Sequence, residues 1–496
     1  MPEPRFPLYA ARLLGSTCLL LMLAACAGRA QAPVPMAAAA APSNPLAMLP
    51  AGVSDQPLPQ RWWALYQDAQ LNRWVQAGLA HNQDLAAAEA HLQAMLAGIG
   101  EFDAQRLPTT SLALGADYGK TADDQTLAKA TDRHAPAQWA FNPGVELAYQ
   151  VDVWGQVRHA IERAQVQAEA AGEAYDWLRL NVVVQISRAY VDQCTYGARI
   201  EVAQRSLQTL DRSVALSERQ RQAGIATELD STRLRSLREQ VRAELPLLDA
   251  QRRMALYELA MLSGESISAP IPEADGCRTI VQLQTPLPSG DGWHLLERRP
   301  DVRKAERELR AAALEVDIVK ADLYPKISFG ASLTSSAQPL SALGDSHSVM
   351  FGIGPLISWQ FPNLQANRAR VAKAGALQQE QLAKFHSSTL GALKDVRQAL
   401  ALYDGERQRQ QALSQALQQS QRGYALAEDN YRAGSLDALA LLDSERDLIG
   451  VRASAIEAQG RLTHSEINLF RALGGNWQAP NAKTTPSPNP LVGSQP

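Results

Sequence analysis

Between Pro362 and Pro480 the chain contains no proline, and residues 365–474 are rich in Ala, Leu, Gln, Glu and Arg, all strong helix formers. The one local break is Tyr431-Arg432-Ala433-Gly434-Ser435, where Gly434 can take the left-handed conformation that ends a helix. The pattern predicts a helix of about 100 Å at 1.5 Å per residue, a tight turn, and a second helix running back. Ordinary helices span three or four turns, so this rod dictates the architecture around it.

The same design occurs earlier, over 156–264, with its turn at Gln222-Ala223-Gly224-Ile225. A constant offset of 210 residues carries Arg158 onto Arg368, Ala189 onto Ala399, Gly224 onto Gly434, Leu259 onto Leu469 and Gly264 onto Gly474. A register held through two arms and a turn is an internal repeat. Each half also opens alike: Arg299-Pro300-Asp301-Val302 stands where Asn82-Gln83-Asp84-Leu85 stands, at an offset of 217.

Ahead of each rod the period changes to two. Leu112, Leu114, Ala116 and Tyr118 alternate with polar or small residues, as do Phe141, Val145, Leu147, Tyr149, Val151 and Val153. In the second half Ile327, Phe329, Ala331 and Leu333 alternate likewise, then Phe351, Ile353, Pro355, Ile357, Trp359 and Phe361. Strands are predicted near 108–118, 140–153, 326–335 and 349–361, each with one apolar and one polar face. The connection 119–138 reads as a polar loop, and its counterpart is seven residues shorter, a change loops tolerate.

The N-terminus carries Arg5 and Arg12, an apolar run ending at Leu23, then Leu23-Ala24-Ala25-Cys26. That is a secretory signal layout over 1–25 and too short to span a membrane. Leu-Ala-Ala-Cys resembles the bacterial lipobox, in which Cys26 is lipidated; the alternative is an ordinary signal peptide cut after an Ala-x-Ala-like site. Residues 26–60 read as an Ala- and Pro-rich tether, with order beginning near Arg61-Trp62-Trp63. Repeat 1 spans 61–264, a proline-containing linker 265–292, repeat 2 293–478, and a Pro-, Ser- and Asn-rich tail 479–496 is expected to be disordered.

The 496 residues carry a formal charge of −3, which gives no sign of nucleic-acid affinity. Four cysteines do not make a disulfide framework in a chain this long. Cys194 falls in a long helix and Cys277 in the linker; two buried free thiols are expected, although an oxidising compartment would allow pairing.

Four strands of roughly 10–14 residues can cross a bilayer when tilted, but a bilayer admits strands only as a closed barrel. Four cannot close one, so several chains must contribute; three would give 12 strands and a water-filled lumen. The fold class expected is an α+β membrane protein of two structural repeats, with a long α-helical barrel continuous with a transmembrane β-barrel. A soluble sheet packed on its own helices, or a coiled-coil stalk that spaces two membranes, are the alternatives.

Trp62-Trp63, Asp152-Val153-Trp154-Gly155-Gln156-Val157-Arg158, Arg298-Arg299-Pro300-Asp301-Val302, Ala305-Glu306 and Ala321-Asp322-Leu323-Tyr324-Pro325 resemble motifs of the outer-membrane efflux factors of the TolC/OprM type, lipoprotein branch. The resemblance covers residues 61–478. It implies a homotrimer with a 12-strand barrel in the outer membrane and a helical barrel in the periplasm. The implied partners are a periplasmic adaptor and an inner-membrane transporter, usually of the resistance–nodulation–division class. The chain would then be a passive exit duct, with no cofactor and no enzymatic activity of its own.

The resemblance also implies site residues. Gly224 and Gly434 would form the periplasmic tips that meet the adaptor. Asp443 falls where family members place a carboxylate that narrows the closed tip; Tyr431 and Arg432 fall where locking contacts are made, and Asp230 occupies the matching acidic position in the first half. A solvated helix-face charge is the alternative for Asp443. Two departures matter: Leu436 replaces an arginine of TolC and Ala440 replaces a second gate carboxylate, so closure is expected to rest more on apolar contacts. The eight histidines lack metal-ligand spacing, and neither a phosphate loop nor a nucleophile elbow is present. Cargo is not legible: drugs and other small molecules, heavy metals, or type I protein secretion all fit a wide duct.

Overall fold

The computed structural model describes residues 50–120, 122–224, 226–265, 277–290, 295–359 and 364–475. The signal segment, Cys26 and the tail lie outside the described residues. In chain order the elements are β1 (Val53–Ser54), α1 (Ala69–His81), α2 (Gln83–Asp103), β2 (Thr109–Gly119), α3 (Ala122–Ala130), β3 (Gln138–Val151), α4 (Gln156–Gln222), α5 (Glu228–Ser263), β4 (Leu287–Pro288), α6 (Leu295–Arg298), α7 (Pro300–Ala321), β5 (Lys326–Ser335), β6 (Val349–Ser358), α8 (Gln365–Arg432) and α9 (Ala438–Ala472).

Several helices start where a side chain satisfies their first N–H groups. Asp68 accepts from the Leu71 N–H at the start of α1, Asn82 from Leu85 at the start of α2, and Asp437 from Ala440 at the start of α9. At α4 the Asp152 carboxylate accepts from the Val157 and Arg158 N–H groups at 3.0 and 2.9 Å, a negative charge on the positive end of a helix of 67 residues. The hairpin α4–α5 packs against α7, α2 and α9; α7 also packs on α8, and α8 on α9.

The sheet is antiparallel in the order β2-β3-β5-β6. Its register aligns Leu112, Val145, Leu333 and Phe351 in one row across all four strands, and Thr110, Leu147, Ala331 and Ile353 in the next row on the same face. Helices do not cover this face: Leu114 is 79 % exposed and Phe351 82 %. A soluble sheet packed on its own helices is therefore not what forms. Among the described residues, β2 and β6 are each paired on one side only.

The main core lies where the two halves meet. Trp62 stacks on Phe470 with ring centroids 4.8 Å apart, and the Tyr66 hydroxyl donates to Glu466 at 3.0 Å. Arg299 is 1 % exposed. Its guanidinium donates to both Asp301 oxygens at 2.9 and 2.6 Å and to the Ala472 carbonyl at 3.0 Å, and lies over the Trp177 ring. The Arg-Pro-Asp motif thus clamps the start of α7 to the end of α9, with Pro300 at the first helical position. The strand-to-rod junctions interlock too: Trp154 donates to the Pro325 carbonyl at 2.8 Å and stacks on Tyr324, and Gln156 donates to Asp322 at 3.0 Å.

Three expectations are corrected. Cys194 and Cys277 form a disulfide rather than two free thiols. The linker passes so close to α4 that a Cβ on Gly197 would meet the Cys277 carbonyl oxygen at 2.1 Å; glycine one turn from Cys194 admits the crossing segment. Order begins before Arg61: β1 pairs in parallel with β4, inside the segments read as tether and linker. The connection 119–138 contains helix α3, a short element that composition alone does not distinguish from loop.

Candidate functional site at the hairpin tips

Both rods end alike. Gly224 and Gly434 have the same φ of +76°, a conformation that favours glycine, with open space where a Cβ would stand. Ala223 N–H donates to Arg219 O as Ala433 N–H does to Asp429 O, and Gly224 N–H donates to Arg221 O as Gly434 N–H does to Tyr431 O, closing the last turns in the same way. The two tips are copies of one local structure.

The residues singled out in sequence divide into two groups. Tyr431 reaches across: its hydroxyl donates to the Gln220 side-chain oxygen, tying α8 to α4. Burial, with Asp230 nearby, raises the phenol's pKa. The other three act locally. Arg432 pairs with Glu428 and Asp429 of its own helix. Asp230 closes a capping box with Thr227 at the start of α5, and the Thr227 hydroxyl and N–H hold its carboxyl below the usual range. Asp443 is 60 % exposed and lies 3.9 Å from Arg446 on α9. Leu436 and Ala440 are half-buried.

Three tip features escaped the sequence reading. Gln220 is the acceptor that Tyr431 needs. Glu218 binds both Arg221, at 2.6 Å, and Arg235 on α5, at 2.8 Å, tying the arms of the first hairpin. Glu445 is buried between hairpins, 3.4 Å from the Ser213 hydroxyl. The available signal was the heptad spacing of Ser206, Ser213 and Glu445 with their apolar neighbours, which places polar groups on a seam.

An exposed apolar sheet leading into two long hairpins has clear relatives. The family model described as "Outer membrane efflux protein" matches residues 74–265 and again 294–475, one match per half. The chain belongs to the outer membrane efflux protein family. It is 30 % identical over 473 residues to the pyoverdine export outer membrane protein OpmQ of Pseudomonas aeruginosa, covering 94 % of this chain and 96 % of that one. It is 27 % identical to the probable outer membrane lipoprotein SilC of Salmonella typhimurium, covering 84 % and 88 %. The solved outer-membrane channel OprN is similar with a TM-score of 0.81 at 28 % identity, covering 88 % of this chain and 96 % of that chain. The chain is thus an outer-membrane exit duct that extends into the periplasm, with the α+β channel fold. The family works as homotrimeric channels within tripartite pumps, with an adaptor and an inner-membrane transporter.

Proposed function

We propose that three copies of this chain close a 12-strand barrel and serve a transporter of the resistance–nodulation–division class, releasing small organic solutes passively to the exterior. The carrying observation is the continuous row Leu112, Val145, Leu333 and Phe351, exposed in the single chain and lipid-facing once the sheet closes. Strands of 10–14 residues match the height of a bilayer's hydrocarbon when tilted. Cys26 carries the lipid anchor in this reading. The likeness to OpmQ, named for pyoverdine export, favours an organic cargo.

The tips at Gly224 and Gly434 meet the adaptor. Tyr431, with Gln220, holds them together at rest, and Asp443 faces the axis, where three carboxylates repel and select for cations. Arg432 and Asp230 support the tip through their own helices. Opening moves the hairpins outward. Susceptibility and export in a strain lacking this chain test the cargo; purified protein in planar bilayers tests the duct. An absence of channel events would favour a non-conducting spacer.

A further inference from the structure

On α9 the positions Leu442, Glu445, Ile449 and Arg452 recur at heptad spacing, and on α4 so do Ala203, Ser206, Leu210, Ser213 and Ser217. This is a coiled-coil seam between the two hairpins. Leu442 and the partly buried Ile449 belong to an apolar cluster with Ala203 and Leu210 of α4 and Leu234, Leu237 and Val241 of α5. Glu445 lies in the middle of it, 2 % exposed, two residues from the exposed Asp443 and on the opposite face of α9.

We propose that Glu445 is a proton-operated latch on this seam: neutral it lets the hairpins close, and ionised it drives them apart. The proposal rests on the reading of the tips as a gate. One carboxyl oxygen takes the Ser213 hydroxyl at 3.4 Å; among the described residues the other is buried without a partner, as are the hydroxyls of Ser206 and Ser217 along the same stripe. From α8, Tyr424 and Glu428 face the site; from α9, Arg452; α4 brings Ser213, and α5 the apolar side chains named above. Arg452 favours the charge and Glu428 opposes it. A carboxylate held so is costly, whereas the neutral acid needs far less.

Burial raises the Glu445 carboxyl from 4.5 to about 7 in the closed seam. Parting the hairpins admits water and returns it toward the ordinary carboxylate value. The closed form therefore holds the proton more tightly. Its advantage is complete below the ordinary value and is lost as pH rises through about 7. Within that window each pH unit changes the closed-to-open ratio by about tenfold.

The test is the open probability of the full-length oligomer in planar bilayers from pH 5 to pH 8. Wild type should open by about tenfold or more as pH rises, and Glu445→Gln should stay at the acidic, closed level throughout. Ser213→Ala removes a donor to the carboxylate and should move the transition to higher pH; Asp447→Asn, on the exposed side of α9, should leave it in place. A wild-type slope retained in Glu445→Gln, or an unmoved midpoint in Ser213→Ala, overturns the latch while leaving the duct intact. No conductance in wild type at any pH overturns both.

Discussion

The Tyr431 hydroxyl at the end of α8 donates to the Gln220 side-chain oxygen at the end of α4, so a hydrogen bond joins the two hairpin tips. In the proposed gate, its strength sets how far the tips stay together at rest. Tyr431→Phe keeps the ring and removes the donor. A net hydrogen bond is worth about 0.5–1.5 kcal/mol, so the open population should rise severalfold. Gln220→Ala should do the same, and the double variant little more than either, because both lose one interaction. Single-channel recording checks this; additive effects would mean the two residues act independently.

Asp443 is exposed and paired only loosely with Arg446. Asp443→Ala should raise conductance and weaken cation selectivity if three copies face one axis. Reversal potentials in a salt gradient, with conductance, read both. Unchanged values would leave Asp443 a solvated helix-face charge.

The Cys194–Cys277 bridge closes a separation of 83 residues. A native disulfide contributes about 2–4 kcal/mol. Cys194→Ser with Cys277→Ser, or reduction of the wild type, should lower the melting temperature by several degrees and speed proteolysis of the linker. Equal stability with and without reductant would contradict a structural role.

Glu466 is buried in the main core, and burial raises its carboxyl to about 7 although the Tyr66 hydroxyl pulls the other way. The sign follows: its contribution is complete below the ordinary carboxylate value near 4.5 and is lost as pH rises through about 7. Across that window the core should lose on the order of 3 kcal/mol. Thermal melting from pH 5 to pH 8 should show a falling midpoint in wild type and a flatter one in Glu466→Gln. A midpoint that rises with pH would contradict the assignment.

What the sequence made legible was what periodicity writes. The rods, their glycine turns and the four strands follow from local rules, because helix propensity, left-handed glycine and two-residue alternation each act within a few residues. Pairings across the chain were another matter. Cys194 and Cys277 stand in a helix and a proline-rich segment, and only folding brings them together. Arg299 stood out as part of a motif, but its role as a buried clamp on Ala472 appears only when α9 returns to α7. Resemblance points to Asp443, which is exposed, and is silent on Glu445, which the heptad stripe of α9 buries.

Everything depends on each copy supplying too little sheet to close a pore. Cysteines placed on the two outer strands test this directly: Leu112→Cys on β2 combined in turn with Phe351→Cys and Ile353→Cys on β6, cross-linked in membranes and separated under non-reducing conditions. The account predicts a covalent ladder ending at three chains. A single cross-linked chain, with β2 joined to its own β6, would contradict it.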